Sequence, residues 1–172
     1  MLDKSEKALD ASSLPEALPS WLTEKDVDYF ASEFERTGFR GGLNCSQAVV
    51  TAYADDMQFD KNLALSISCG FGGGMGRLQK TCGAVTGSFM VMGVHNCRKY
   101  TDNKERKEKT YAMVQEFSRR FKSIHGTLDC MDLMQCDMNT DEGKQYVKDN
   151  NLHEVVCEKC IADAIKIIGD II

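Results

Sequence analysis

No stretch of the 172 residues strings together the ~20 apolar residues that a membrane-crossing helix needs. The first twenty residues are polar and acidic, with neither an apolar core nor a small-residue cleavage site, so they do not read as a secretory signal. Basic clustering is missing too. The net charge is -5 with a pI near 5.2, and the most basic stretch, Lys104 to Lys109, interleaves glutamates like a solvated helix face. Nucleic acid, which needs a clustered basic surface to displace counterions, is therefore not an expected partner. No run alternates with period two for long, which argues against a sheet. Neither G-x-G-x-x-G nor G-x-x-x-x-G-K-[ST] fits any register between Gly70 and Gly87, so the glycines do not read as a nucleotide loop. The expectation is a cytoplasmic chain that acts on neither membrane nor nucleic acid.

What is abundant is cysteine. Eight are present, and in a reducing compartment that number points to metal binding or redox work ahead of structural disulfides. The length suits one domain that buries roughly 70% of its unfolded surface. Residues 1–22 read as a loose arm, broken by Pro15 and Pro19, and residues 23–172 as one helical, cysteine-rich domain.

Helical spacing recurs through that domain. Thr23 and Asp26 resemble a capping box ahead of Val27, Phe30, Ala31 and Phe34. Asn44 caps a second helix, expected to run to about Met57. Asp60 caps a third, with Leu63, Ala64, Ile67 and Cys69 on its inner side. Gly70 to Gly76 cannot be regular helix. Thr81 caps the next helix, and a long amphipathic helix follows over Asp102 to Ser123, with Met113, Val114, Phe117 and Phe121 as its stripe. Asp129 caps a short segment, another short helix lies near Asp141 to Lys148, and a last helix spans His153 to Ile168. The expected fold is all-α, a single bundle of about five main helices with a glycine-rich loop.

Cys45, Cys82 and Cys130 each follow a capping residue (Asn44, Thr81 and Asp129). Each thiol is thus expected at the first helical position, where unpaired N–H groups favour an anion. A dipole contribution of ~0.3–1 kcal/mol is less than one pKa unit, so a second influence is needed to make a thiolate at neutral pH. Arg77 or a bound metal would supply it, and a metal deprotonates cysteine outright. Cys157 and Cys160 form C-E-K-C, with both sulfurs expected on one helix face, and His153 is expected on the same side. Cys160 can equally be a small core residue. Cys69 and Cys97 have no partner at ligand spacing, and Cys136 is open. His95 and His125 read as last-turn residues near helix ends.

Five motifs carry a family resemblance: N-C-S-Q-A-V at Asn44 to Val49, F-G-G-G-M-G-R at Phe71 to Arg77, C-G-A-V-T-G at Cys82 to Gly87, G-T-L-D-C-M-D-L at Gly126 to Leu133, and C-E-K-C-I-A-D-A at Cys157 to Ala164. In this order they resemble the redox-active proteins named for the cysteine pattern C_GCAxxG_C_C, over about Val27 to Ile168. The central motif departs from the name, since Cys82 stands one place earlier than Gly-Cys-Ala would put it. The resemblance implies that the family cysteines are Cys45, Cys82, Cys130 and Cys157, and that Cys69, Cys97, Cys136 and Cys160 are additions. It also implies a small helical redox protein related to the cluster-bearing part of a split-Soret cytochrome.

Three functions stay open. In the first, Cys45, Cys82, Cys130 and Cys157 bind an iron–sulfur cluster or similar metal for electron transfer to a redox partner protein, with Gly72, Gly73, Gly74 and Arg77 lining the cofactor. In the second, Cys45 and Cys82 are a cofactor-free exchanging pair. In the third, zinc plays a structural part in an interaction module. A homo-oligomer is compatible with each, and none brings a substrate-specific catalytic constellation.

Overall fold

Asn44 sets the start of the first helix in the computed structural model, which describes residues 42–172. The expected arm and the helix expected from Thr23 lie outside the described residues. Among the described residues the chain forms seven right-handed α-helices and no strand. They are α1 (Cys45–Ala52), α2 (Lys61–Ser68), α3 (Gly83–Lys99), α4 (Asn103–His125), α5 (Cys130–Met134), α6 (Asp141–Asp149) and α7 (Lys159–Ile171). The class is all-α, with more helices than the five main ones expected.

Side-chain chemistry explains where most of these elements begin and end. Asn44 and Gln47 form a reciprocal capping box at α1. Asp60, Asp102 and Thr140 each accept a backbone N–H at the starts of α2, α4 and α6. Gly126 closes α4 in the left-handed conformation, with φ 79°. α1 stops at Ala52, short of Met57, because residues 53–58 pass into turns that end with Gln58 at φ 44°.

α1, α3, α4 and α7 share one core. Val49, Ala84, Val85, Met92, Phe117, Phe121, Ala164 and Ile168 are fully buried in it. Phe117 stacks on Phe121 at 5.8 Å between ring centroids and meets Phe89 edge-on at 6.0 Å. Complete burial of each large apolar side chain contributes about 1.5–3 kcal/mol. α1 lies directly on α3, since a Cβ at Gly87 would come within 2.9 Å of the Ser46 carbonyl oxygen. Tyr53, just beyond α1, donates its hydroxyl to the Ile165 carbonyl of α7 at 2.7 Å.

Two expected faces are corrected. On α2 the small residues Ala64 and Ser68 face inward, while Leu63 (50% exposed), Ile67 (43%) and Cys69 face out. The helix sits close enough to α1 for Gln47 to donate to the Leu65 carbonyl, and larger side chains on that inner face would hold it off. The last helix is also not uniform. His153–Glu158 form a π-helical segment before α7, so the simple 3.6-residue register assumed for His153, Cys157 and Cys160 does not hold there.

Candidate functional site

Between α2 and α3 the chain makes an unusual turn. Gly73, Gly74, Met75, Gly76 and Arg77 all have positive φ, from 61° to 67°, so the backbone winds left-handed over five consecutive residues. The glycines adopt this freely, whereas Met75 and Arg77 each bear about 1–2 kcal/mol of steric cost. The turn fits its neighbours closely. A Cβ on Gly72 would fall 2.3 Å from the Asn44 Cβ, and one on Gly74 would fall 2.6 Å from the Cys130 Cβ. The turn therefore packs against the residue that starts α1 and the cysteine that starts α5.

A short antiparallel pairing then joins residues 79–82 to 128–131. Thr81 and Asp129 bridge; Cys82 N–H donates to Leu128 O at 2.8 Å, Cys130 N–H to Lys80 O at 2.7 Å, and Met131 N–H to Gln79 O at 3.0 Å. This clamp sets Cys82 and Cys130 beside each other. It also corrects the expected capping. Thr81 is taken up by the bridge, Cys82 itself is the N-cap of α3, and Asp129 stands at the cap of α5 without a side-chain cap bond. Cys45 joins them where α1 meets α3, since a Cβ on Gly83 would lie 2.9 Å from the Cys45 Cβ.

α7 and the segment before it bring two more thiols. Cys157 lies near enough to Cys45, and Cys160 to Cys82, for each to stabilise the other's thiolate by hydrogen bonding. Cys130 lies within electrostatic reach of both Cys45 and Cys82. The structure thus brings together Cys45, Cys82, Cys130 and Cys157, and adds Cys160. Of these, Cys45, Cys82, Cys130 and Cys160 are at most 7% exposed. All eight cysteines are free thiols.

The five are not alike in acidity. The Cys82 thiol is pulled below its ordinary value, first by hydrogen bonding from Cys160 and then, against burial, by the Ala84 and Val85 N–H groups at the start of α3. Cys160 and Cys157 are pushed up, each first by its hydrogen bond (to Cys82 and Cys45) and then by burial. Cys130 is pushed up to about 12, by burial first and then by the charges of Cys82 and Cys45. The second influence on Cys82 is therefore a neighbouring thiol. Arg77 is not among the causes of any of these shifts and instead lines a groove with Gly72 and Gly73.

Residues that pattern reading did not single out support the centre. His125 places Nδ1 3.8 Å from the Cys160 sulfur and Nε2 3.1 Å from a carboxylate oxygen of Asp163, and its ring lies 4.4 Å from that of Phe121. Its position in the last turn of α4 is as expected, but it faces α7. Only the approach of two helices 35 residues apart makes that neighbour visible. Met134 accepts from the Cys157 thiol at 3.6 Å. Gln79 is buried; its amide donates to Cys136 O and accepts from Met138 N–H, both at 2.8 Å, and so holds the chain after α5. Two of the remaining cysteines stand apart: Cys97 is exposed beside Arg106, and Cys69 is exposed on the groove. Cys136 packs beside Cys130 and lies within its electrostatic reach, and burial, then Asp137, pushes its own thiol up.

Five soft sulfur donors fit a thiophilic metal or cluster by their chemistry. Among the described residues, no three His, Cys, Asp or Glu side chains are close enough to share one metal ion. A single zinc ion needs four ligands at ~2.0–2.3 Å, so the thiols would have to draw inward for it.

No helix among the described residues is long and apolar enough to cross a membrane. Short segments resemble curated epoxide hydrolases. Epoxide hydrolase 1 of Siraitia grosvenorii is 66% identical over 35 residues, which is 20% of this chain and 11% of that protein. Epoxide hydrolase 2 of the same plant is 54% identical over 43 residues, 25% of this chain and 14% of that protein. Epoxide hydrolase B of Mycobacterium tuberculosis is 51% identical over 35 residues, 20% of this chain and 10% of that protein. The chain spans about a tenth of the length of the curated relatives it matches, and a segment that short cannot enclose a core of its own. No solved structure matches the chain. Residues 43–171, three quarters of the chain, match the family described as "Putative redox-active protein (C_GCAxxG_C_C)", and the chain belongs to that family.

Proposed function

We propose that Cys45, Cys82, Cys130 and Cys157 hold an iron–sulfur cluster and that the protein passes electrons to a partner protein. The observation that carries this reading is the convergence of buried thiols at the starts of α1, α3 and α5. Such a group, when bound, accepts and returns single electrons. Cys82 is already biased toward the thiolate that a metal takes, while burial at Cys130, and the Cys45 hydrogen bond with burial at Cys157, favour the protonated thiols whose protons a metal would displace. Cys160 stays behind Cys82 as a hydrogen-bond donor, and hydrogen bonds to cluster sulfurs tune potential.

Burial also weighs between this reading and thiol–disulfide exchange. Exchange needs a sulfur that a partner's sulfur can touch, and Cys45, Cys82 and Cys130 are each 6–7% exposed. Electrons reach a buried group without that contact. The exchange reading keeps one observation in its favour, the pairing of an acidified Cys82 with Cys160.

Anaerobic purification with metal and sulfide analysis and an absorbance spectrum tests the reading. Iron, sulfide and broad visible absorption are expected, and all three should be lost in Cys45→Ser and Cys130→Ser. A colourless zinc protein, or a metal-free protein with a reversible disulfide, would overturn it.

A further inference from the structure

Beside the thiol centre a groove of about 620 Å³ opens between the left-handed turn and α6. That volume is ordinary for a small-molecule site. One wall is Gly72, Gly73, Gly76 and Arg77, and the other carries Lys144 and Lys148 of α6. The two lysines, one helical turn apart, share a face with Val147. Leu43 and Met138 add an apolar part of the lining.

The chain as a whole carries a net charge of -5, yet the lining inverts that sign. Among the described lining residues are one arginine and two lysines, and neither an aspartate nor a glutamate. Lys144 meets Asp141 at 2.9 Å outside the lining. Arg77 and Lys148 enter no ion pair among the described residues. The Arg77 side chain is held across the turn, with its Cγ 3.2 Å from where a Cβ on Gly73 would sit. Like charges gathered at one concavity repel one another, and a bound anion removes that repulsion.

We propose that this groove binds a small molecule with two or more negative charges, as phosphate or carboxylate, whose apolar part rests on Met138 and Val147. Arg77 takes the charged group in its planar fork, and Lys144 and Lys148 neutralise it from the opposite wall. The site stands whether or not the thiols hold a cluster, because none of its cations is a thiol neighbour in the pairing described above.

Isothermal titration of the full 172-residue chain with inorganic pyrophosphate, and separately with citrate, tests it at low ionic strength. Saturable binding of one or both at a single site is expected, and the probe that binds tells phosphate from carboxylate. Arg77→Gln and Lys148→Gln should each weaken binding about tenfold, while Lys107→Gln, at an exposed position of α4, should leave it unchanged. Lys148 is exposed, so its variant keeps the fold, and a helical circular-dichroism spectrum checks this. The proposal is overturned if neither anion binds, if both groove variants bind as tightly as the unaltered chain, or if Lys107→Gln weakens binding as much as they do.

Discussion

Cys82 has its acidity set by a contact more than by a helix end. The Ala84 and Val85 N–H groups lower its pKa, but the Cys160 hydrogen bond does so more, and burial works against both. A hydrogen bond to the thiolate favours the charged form, so its loss must raise the value. In metal-free protein, Cys160→Ala is therefore expected to move the Cys82 thiolate titration, followed by absorbance near 240 nm, to higher pH. A titration unmoved by that change would remove Cys160 from the account. The same sign fixes the pH dependence of stability. A lowered folded pKa contributes stability above the unfolded value, and this contribution is lost as pH falls through the folded one. Cys160→Ala should therefore flatten the acid-side decline in denaturant midpoint. That these cysteines stand at or beside helix starts was legible in the sequence, although only Asn44 before Cys45 caps as expected, Cys82 being itself the N-cap of α3. The pairing of Cys82 with Cys160 was not, since 78 positions separate them and only the packing of α7 on α3 brings them together.

At the scale of an element, the turn from Gly72 to Arg77 joins the thiol centre to the groove. The sequence shows that the seven residues from Gly70 to Gly76, five of them glycine, cannot form regular helix. It does not show that the five residues from Gly73 to Arg77 wind left-handed, because Met75 and Arg77 disfavour that conformation and tertiary contacts override them. Gly74→Ala is expected to cost roughly 2–4 kcal/mol in a denaturant melt, combining a left-handed penalty with overpacking against the Cys130 Cβ. On the proposed reading, loss of iron should accompany it. A stable variant with full metal content would show that the turn does not position Cys130. On α2 the periodicity was legible and Ala64 faces inward as expected, but apolar count wrongly favoured Leu63 and Ile67 where close approach to α1 selected Ser68.

Across the whole molecule, α7 closes the core and delivers Cys160 to the centre, with the π-helical segment before it supplying Cys157. Tyr53 ties that closure to α1 through the Ile165 carbonyl. Removing its hydroxyl in Tyr53→Phe is expected to lower unfolding free energy by about 1–2 kcal/mol, read from urea midpoints, with helicity unchanged. No measurable loss would mean the bond does not hold α7 in place. From the residues alone followed the helical class, the capped starts and the concentration of chemistry in cysteine, because caps, spacing and composition are local properties. The gathering of the thiols, the clamp between residues 79–82 and 128–131, and the cationic groove came only with the tertiary structure. Each of these joins segments far apart in the chain, and long-range contact is decided by which surfaces pack, which no local pattern encodes.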